Sequence, residues 1–178
     1  MTHQLLFTNT AITAREKVKF DETVARRMIS AATAEDAAKV LLPLGYDIEH
    51  PEHIVAKKLA ETLDTFDELC PDKELKKFVR AASNKSHTTP ASQAPLFLKG
   101  EFSTLRMHRE TLQYIENYFG KGVTGLPEIK SSTAFDLENF LNWFIMKLEE
   151  LRIVKAILLG KKLGIPNTQL RTMIRGGK

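Results

Sequence analysis

Three observations predict an all-α fold, a helical bundle with a long C-terminal helix. Apolar residues recur at helical spacing from Asp136 to Gly164, no segment alternates convincingly like a strand, and 9 glycines and 7 prolines in 178 residues are too few for a turn-rich sandwich. In the first of these, Leu137, Leu141, Phe144, Leu148, Leu151 and Leu158 step by fours and threes until Lys155 interrupts. They line one face, while Glu138, Asn142, Lys147, Glu149 and Arg152 occupy the other. A helix over 136–164 reaches roughly 42 Å at 1.5 Å per residue.

The remaining elements follow in chain order. Thr8 to Phe20 reads as helical, with Ile12 and Val18 among its apolar positions. Asp21 is placed to cap a second helix through Val24, Met28 and Ile29. Thr33 caps a third, which puts Glu35 and Asp36 in its first turn, packs Ala37, Val40 and Leu41, and stops at Pro43 and Gly45. Pro51 suits the start of a fourth, with Ile54, Leu59, Leu63, Phe66 and Leu69 on its apolar side. A fifth runs from Asp72 to Ala82 with Leu75, Phe78 and Val79. Ser83 to Pro95 is polar and proline-bearing, the composition of a loop. Phe102 to Phe119 resumes the helical pattern through Leu105, Leu112 and Ile115, and Gly120 to Ser132 forms a loop before the long helix. Pro166 and Asn167 restart a short terminal helix with Leu170, Met173 and Ile174. The organisation expected is an N-terminal helical subdomain over 1–82, a linker over 83–101 and a C-terminal helical subdomain over 102–178, together one compact domain.

Composition bounds the function. A hydrophobic content of 43% and a charged content of 27% belong to a globular protein with a core. A single cysteine, Cys70, leaves no intramolecular disulfide framework and fits a reducing compartment. The first residues, Met1 to Phe7, read as neither a signal peptide nor a lipidation signal, and no apolar run is long enough to span a bilayer. The net charge of +4 is uneven. No acidic residue follows Glu150, whereas Arg152, Lys155, Lys161, Lys162, Arg171, Arg175 and Lys178 do, which leaves a net of −3 on the first 150 residues. A basic end on a mildly acidic body suggests an anionic partner near the C-terminus, but cations that complement the helix macrodipole or are simply solvated account for it more readily. Arg152, Lys161, Lys162, Arg171 and Arg175 are the residues placed to meet a partner.

Catalytic and ligand-binding patterns are weak. Gly120 to Gly125 spells G-x-G-x-x-G, but a helix precedes it and Leu126-Pro127 follows, so it lacks the strand and helix that cradle a pyrophosphate. His50 and His53 flank Pro51 beside Glu49 and Glu52, without a nearby third strong ligand for zinc. Glu61, Asp64 and Glu68 share a helical face, which fits an acidic docking surface better than an acid–base pair. Cys70 has no nucleophile elbow around it and reads as a small buried hydrophobe. Phe140, Trp143 and Phe144 read as core or interface anchors. The expectation is a non-catalytic chain with no cofactor and no metal.

The C-terminal third resembles a known family. Phe144 to Ile165, FIMKLEELRIVKAILLGKKLGI, is similar to the closing helix of the C-type central-stalk component of archaeal rotary ATPases, termed d-type in the eukaryotic V-type enzymes. Glu150 and Arg152 match its acidic-x-Arg opening, Gly160-Lys161 its basic end, and Gln169 to Ile174 its short last helix. Asn9 to Arg15 resembles the family's opening helix, and Ala31 to Tyr46 its short helical unit ending near a tyrosine. Family members are much longer and build a funnel from several such units; this chain holds about one plus extra helices. The resemblance implies a central-stalk protein of a V/A-type ATPase without an active site. Such a protein sits on the membrane rotor ring, receives the foot of the stalk, passes torque between nucleotide chemistry and ion movement, and is cytoplasmic and peripheral to the membrane. The other class to weigh is a helical adaptor that binds nucleic acid or protein through the basic C-terminus, although no nucleic-acid motif is present.

Overall fold

The computed structural model describes residues 10–11, 18–70, 72–83, 115, 118–119 and 131–175. Among these residues the chain is helical and without strands. Helix α1 spans Glu22–Ser30, α2 Ala34–Lys39, α3 Ile54–Leu69, α4 Lys73–Ser83, α5 Ser131–Lys162 and α6 Asn167–Arg175. Leu42–Leu44 adds one 3-10 turn after α2.

The starts of three helices follow from capping. Asp21 is extended, and its Oδ1 accepts the Val24 N–H at 2.9 Å. Thr33 Oγ1 accepts from Asp36 N–H at 3.0 Å, and Asp72 Oδ1 from Leu75 N–H at 2.8 Å. Each bond satisfies an amide that the first turn leaves without a carbonyl, worth about 0.5–2 kcal/mol. α3 starts later than its sequence pattern indicates. Residues 51–53 form a turn closed by His53 N–H donating to the His50 carbonyl at 2.9 Å. That turn is exposed and burial begins at Ile54, so no packed face holds Pro51 in the helix. The N-terminal expectation also shifts: Thr10 and Ala11 are helical, but residues 18–20 are not, and Val18 is exposed while Phe20 is buried. Predictions for residues 84–114 and 120–130, including the linker and the glycine-rich run, lie outside the described residues.

α5 starts five residues earlier than predicted and, at 32 residues, spans roughly 48 Å. Two cores share it. Phe140, Leu141, Phe144, Ile145 and Leu148 pack with Phe66 and Leu69 of α3, Leu75, Phe78 and Val79 of α4, and Ile115 and Phe119. Leu151, Ile153, Val154 and Ile157 pack with Ala25, Met28 and Ile29 of α1, Ala37 and Ala38 of α2, Leu41, Tyr46, and Leu170 and Ile174 of α6. At about 100° per residue, Phe140 to Leu148 share one side of α5, and Ile153, Val154, Ile157 and Gly160 the opposite side. The helix therefore changes its buried face near residue 150. This is the physical reason the sequence stripe breaks at Lys155, which is exposed.

The C-terminus of α5 is closed by a Schellman motif. Gly164, at φ +71, donates its N–H to the Lys161 carbonyl at 3.1 Å, and Ile165 N–H reaches the Gly160 carbonyl at 2.9 Å. The chain turns back and lays α6 against Gly160. A Cβ added there would lie 2.3 Å from Leu170 Cδ2, and Leu170 is itself 1% exposed. Gly160→Val is expected to destabilise the fold by about 1–3 kcal/mol through overpacking. In a denaturant double-mutant cycle, Leu170→Ala should cost less in the Gly160→Val chain than alone; additive effects would show that the two do not meet. α6 buries Leu170 and Ile174 but leaves Met173 at 49% exposure, because a nine-residue helix on one surface has only one covered side.

Candidate functional site

The face change of α5 is marked by charge inside the protein. Glu149 is 0% exposed and Glu150 4%, although an amphipathic helix would turn both to solvent. Burying carboxylates costs several kcal/mol each unless partners compensate. Here they do. Tyr46, in the connection between α2 and α3, donates from Oη to Glu150 Oε1 at 2.6 Å. Lys147, one turn earlier on α5, donates from Nζ to Glu150 Oε2 at 2.9 Å. Arg152 Nε donates to Glu149 Oε2 at 2.6 Å. The Lys147 and Arg152 side chains are 16% and 15% exposed, so both ion pairs sit where water screens them little.

Two tyrosines face this charge. Burial and the charge of Glu150 push Tyr46 far above the ordinary phenol range, which keeps it a neutral donor. Burial and Glu149 likewise raise Tyr118, against a smaller opposing pull from Arg152. Lys58 closes the outer side: its Nζ lies 5.2 Å from the Tyr46 ring centroid and donates to the Gly45 carbonyl at 3.1 Å. The arrangement holds charge in fixed positions and clamps the 45–46 connection to the middle of α5.

Raised pKa values make the fold alkali-sensitive. A group whose folded pKa is elevated contributes its full stability below its ordinary pKa and loses it as pH climbs. Cys70 is 3% exposed, and burial pushes its thiol from 9.0 up to about 12. Stability should therefore begin to fall above pH 9, as Cys70 and then the tyrosines ionise in the unfolded chain. Denaturant midpoints measured from pH 7 to 11 check this, and Cys70→Ala with Tyr46→Phe should flatten the decline. An unchanged slope in that double variant would contradict the assignment.

The sequence-predicted partner residues are not equivalent. Arg152 is committed to Glu149. Lys161 is half-buried, donates to the Ala31 carbonyl and to Asn167 Oδ1 at 2.7 Å, and so ties the end of α1 to the start of α6. Burial lowers its pKa. Lys162 and Arg171 are exposed. Arg175 ends α6.

The other candidates separate in the same way. His50 and His53 are exposed and both approach Glu52 Oε1 at 3.8 Å. Glu61, Asp64 and Glu68 are exposed on α3. Cys70 Sγ donates to the Asp72 carbonyl at 3.5 Å, and its raised pKa keeps the thiol protonated near neutrality. Phe140 and Phe144 are core: the Phe66 ring lies 5.1 Å from the first and 4.3 Å from the second, and Trp143 is partly buried beside them. Among the described residues no three His, Cys, Asp or Glu side chains gather closely enough to hold a metal ion. No described helix is long and apolar enough to cross a membrane.

Sequence reasoning missed the polar seam. Lys147, Glu149, Glu150 and Arg152 were legible as i,i+3 pairs, but charge on a helix reads as solvent-facing. The available signal was the surroundings: Leu148, Leu151, Ile153 and Val154 leave these charges little polar surface to occupy. No family model, curated protein or solved structure matches the chain.

Proposed function

We propose that the chain is a non-catalytic central-stalk component of a V/A-type rotary ATPase, peripheral to the membrane on the cytoplasmic side, that couples the stalk to the ion-translocating ring. One observation carries the reading. Ala31 to Tyr46 is far in sequence from the C-terminal stretches that resemble the family, yet it shares one core with Leu151 onward of Phe144 to Ile165 and with Leu170 and Ile174 of Gln169 to Ile174. The start of the long stretch, Phe144 to Leu148, lies in the first core, against which Ala11 of Asn9 to Arg15 also packs. The contacts joining them are specific: Tyr46 to Glu150, Lys161 to the Ala31 carbonyl, and Leu170 against Gly160.

The mechanics agree with that role. A torque coupler spreads force over many weak contacts, and a single helix shared by two cores transmits displacement from one to the other without a loop between them. The internally paired charges at the face change resist sliding of α5 past Tyr46, because any slip strands a buried carboxylate. Affinity purification of the tagged chain from detergent-solubilised native membranes tests the proposal. Headpiece and ring proteins of the ATPase should be recovered with it, identified by mass spectrometry. Their absence from a preparation in which the ATPase itself stays assembled would sink the reading.

A further inference from the structure

The side of α5 that packs on α3 and α4 does not end with those helices. At about 100° per residue, Lys155, Leu159, Lys162 and Leu163 fall within an arc of about 100° that continues the side holding Leu141, Phe144 and Leu148. Upstream that side is buried; downstream it is open. Leu159 is 51% exposed and Leu163 68%, with Lys155 and Lys162 exposed around them. Leu163 keeps helical register, since its N–H donates to the Leu159 carbonyl at 2.9 Å. The α1, α2 and α6 core lies on the opposite side of the helix, so no element of that core covers the stripe.

From this surface we infer that the C-terminal end of α5 is a docking ridge for an acidic amphipathic helix of another protein. Charge complementarity selects the occupant. No acidic residue follows Glu150, so neither lysine has a carboxylate on its own segment, and the two leucines between them present an i,i+4 ridge. A helix with its own apolar row flanked by Glu or Asp answers both features, as flanking charges do in paired helices. A second copy of this chain does not: its acidic face, Glu61, Asp64 and Glu68 on α3, has no exposed large apolar side chain beside it among the described residues. A nucleic acid favours cations interleaved with aromatic stacking platforms, and a membrane surface a broad apolar face with Trp or Phe. The ridge has neither. Its docking role follows from the surface alone and holds independently of the rotary-motor reading.

The test uses the full chain and a labelled synthetic helix with leucines at alternating steps of three and four, flanked by glutamates. Binding by fluorescence anisotropy should weaken about tenfold for Leu159→Ser with Leu163→Ser, whose exposed positions leave the melting temperature unchanged. Lys155→Glu with Lys162→Glu should weaken it similarly, and a probe with lysines for glutamates should bind that variant better than the unaltered chain. Hydrogen exchange should show protection centred on 155–163. Equal binding of both probes to the unaltered chain, or no effect of either double variant, would overturn the proposal. So would a chain that ignores the acidic probe but binds phosphatidylserine vesicles or duplex DNA through Lys155 and Lys162.

Discussion

Glu150→Ala is expected to destabilise the folded chain by about 3–5 kcal/mol, the cost of stranding one member of a buried ion pair. Truncation removes the acceptor of Tyr46 Oη and one partner of Lys147, at a position 4% exposed. Against a typical domain stability of about 5–15 kcal/mol, the variant should be partly unfolded at physiological temperature. Conservative changes divide the effect. Glu150→Gln keeps an oxygen for Tyr46 but loses the charge that Lys147 meets, and Tyr46→Phe removes only the hydroxyl, for about 1–3 kcal/mol. Urea midpoints for the three variants should therefore rank Ala lowest. A Glu150→Ala loss no larger than that of an exposed substitution would show that the carboxylate is hydrated rather than clamped.

The second large effect belongs to Phe144. Phe144→Ala should cost about 3–5 kcal/mol, because the ring is 0% exposed and its removal opens a cavity in the first core. The ring centroid of Phe66 lies only 4.3 Å away, so Phe66→Ala and Phe144→Ala should be less than additive in a double-mutant cycle. Leu159→Ala on the same helix, at 51% exposure, should change stability by no more than about 0.5 kcal/mol. Comparable losses at Phe144 and Leu159 would mean that α5 does not change faces as described.

Local chemistry was legible in the sequence where one side chain decides the outcome. The caps Asp21 and Thr33 and the end of α5 near Gly164 follow from short-range rules, whereas α2 ends at Lys39, ahead of the stop expected at Pro43, and the 3-10 turn Leu42–Leu44 carries the chain on to Gly45 at φ +74. The apolar rows of α3 and α4 were readable for the same reason. What periodicity did not convey was rotation of the buried face along α5. A single stripe assumes one neighbour, whereas α5 has α3 and α4 on one side and then α1, α2, α6 and the start of α3 at Ile54 on the other. Glu149 and Glu150 sit at the crossover, where tertiary partners from residues as distant as Tyr46 decide burial and no local pattern records them. Arg152 and Lys161 looked like surface cations for the same reason; each is engaged within the chain.

Coupling in native membranes tests the functional proposal most directly. Vesicles from cells depleted of this chain, and from cells with the chain restored, are assayed in parallel for ATP hydrolysis and ATP-driven ion accumulation. A central-stalk coupler requires that depletion abolish ion accumulation while headpiece hydrolysis persists, with both linked again on restoration. Ion accumulation that remains coupled to hydrolysis after depletion would contradict it.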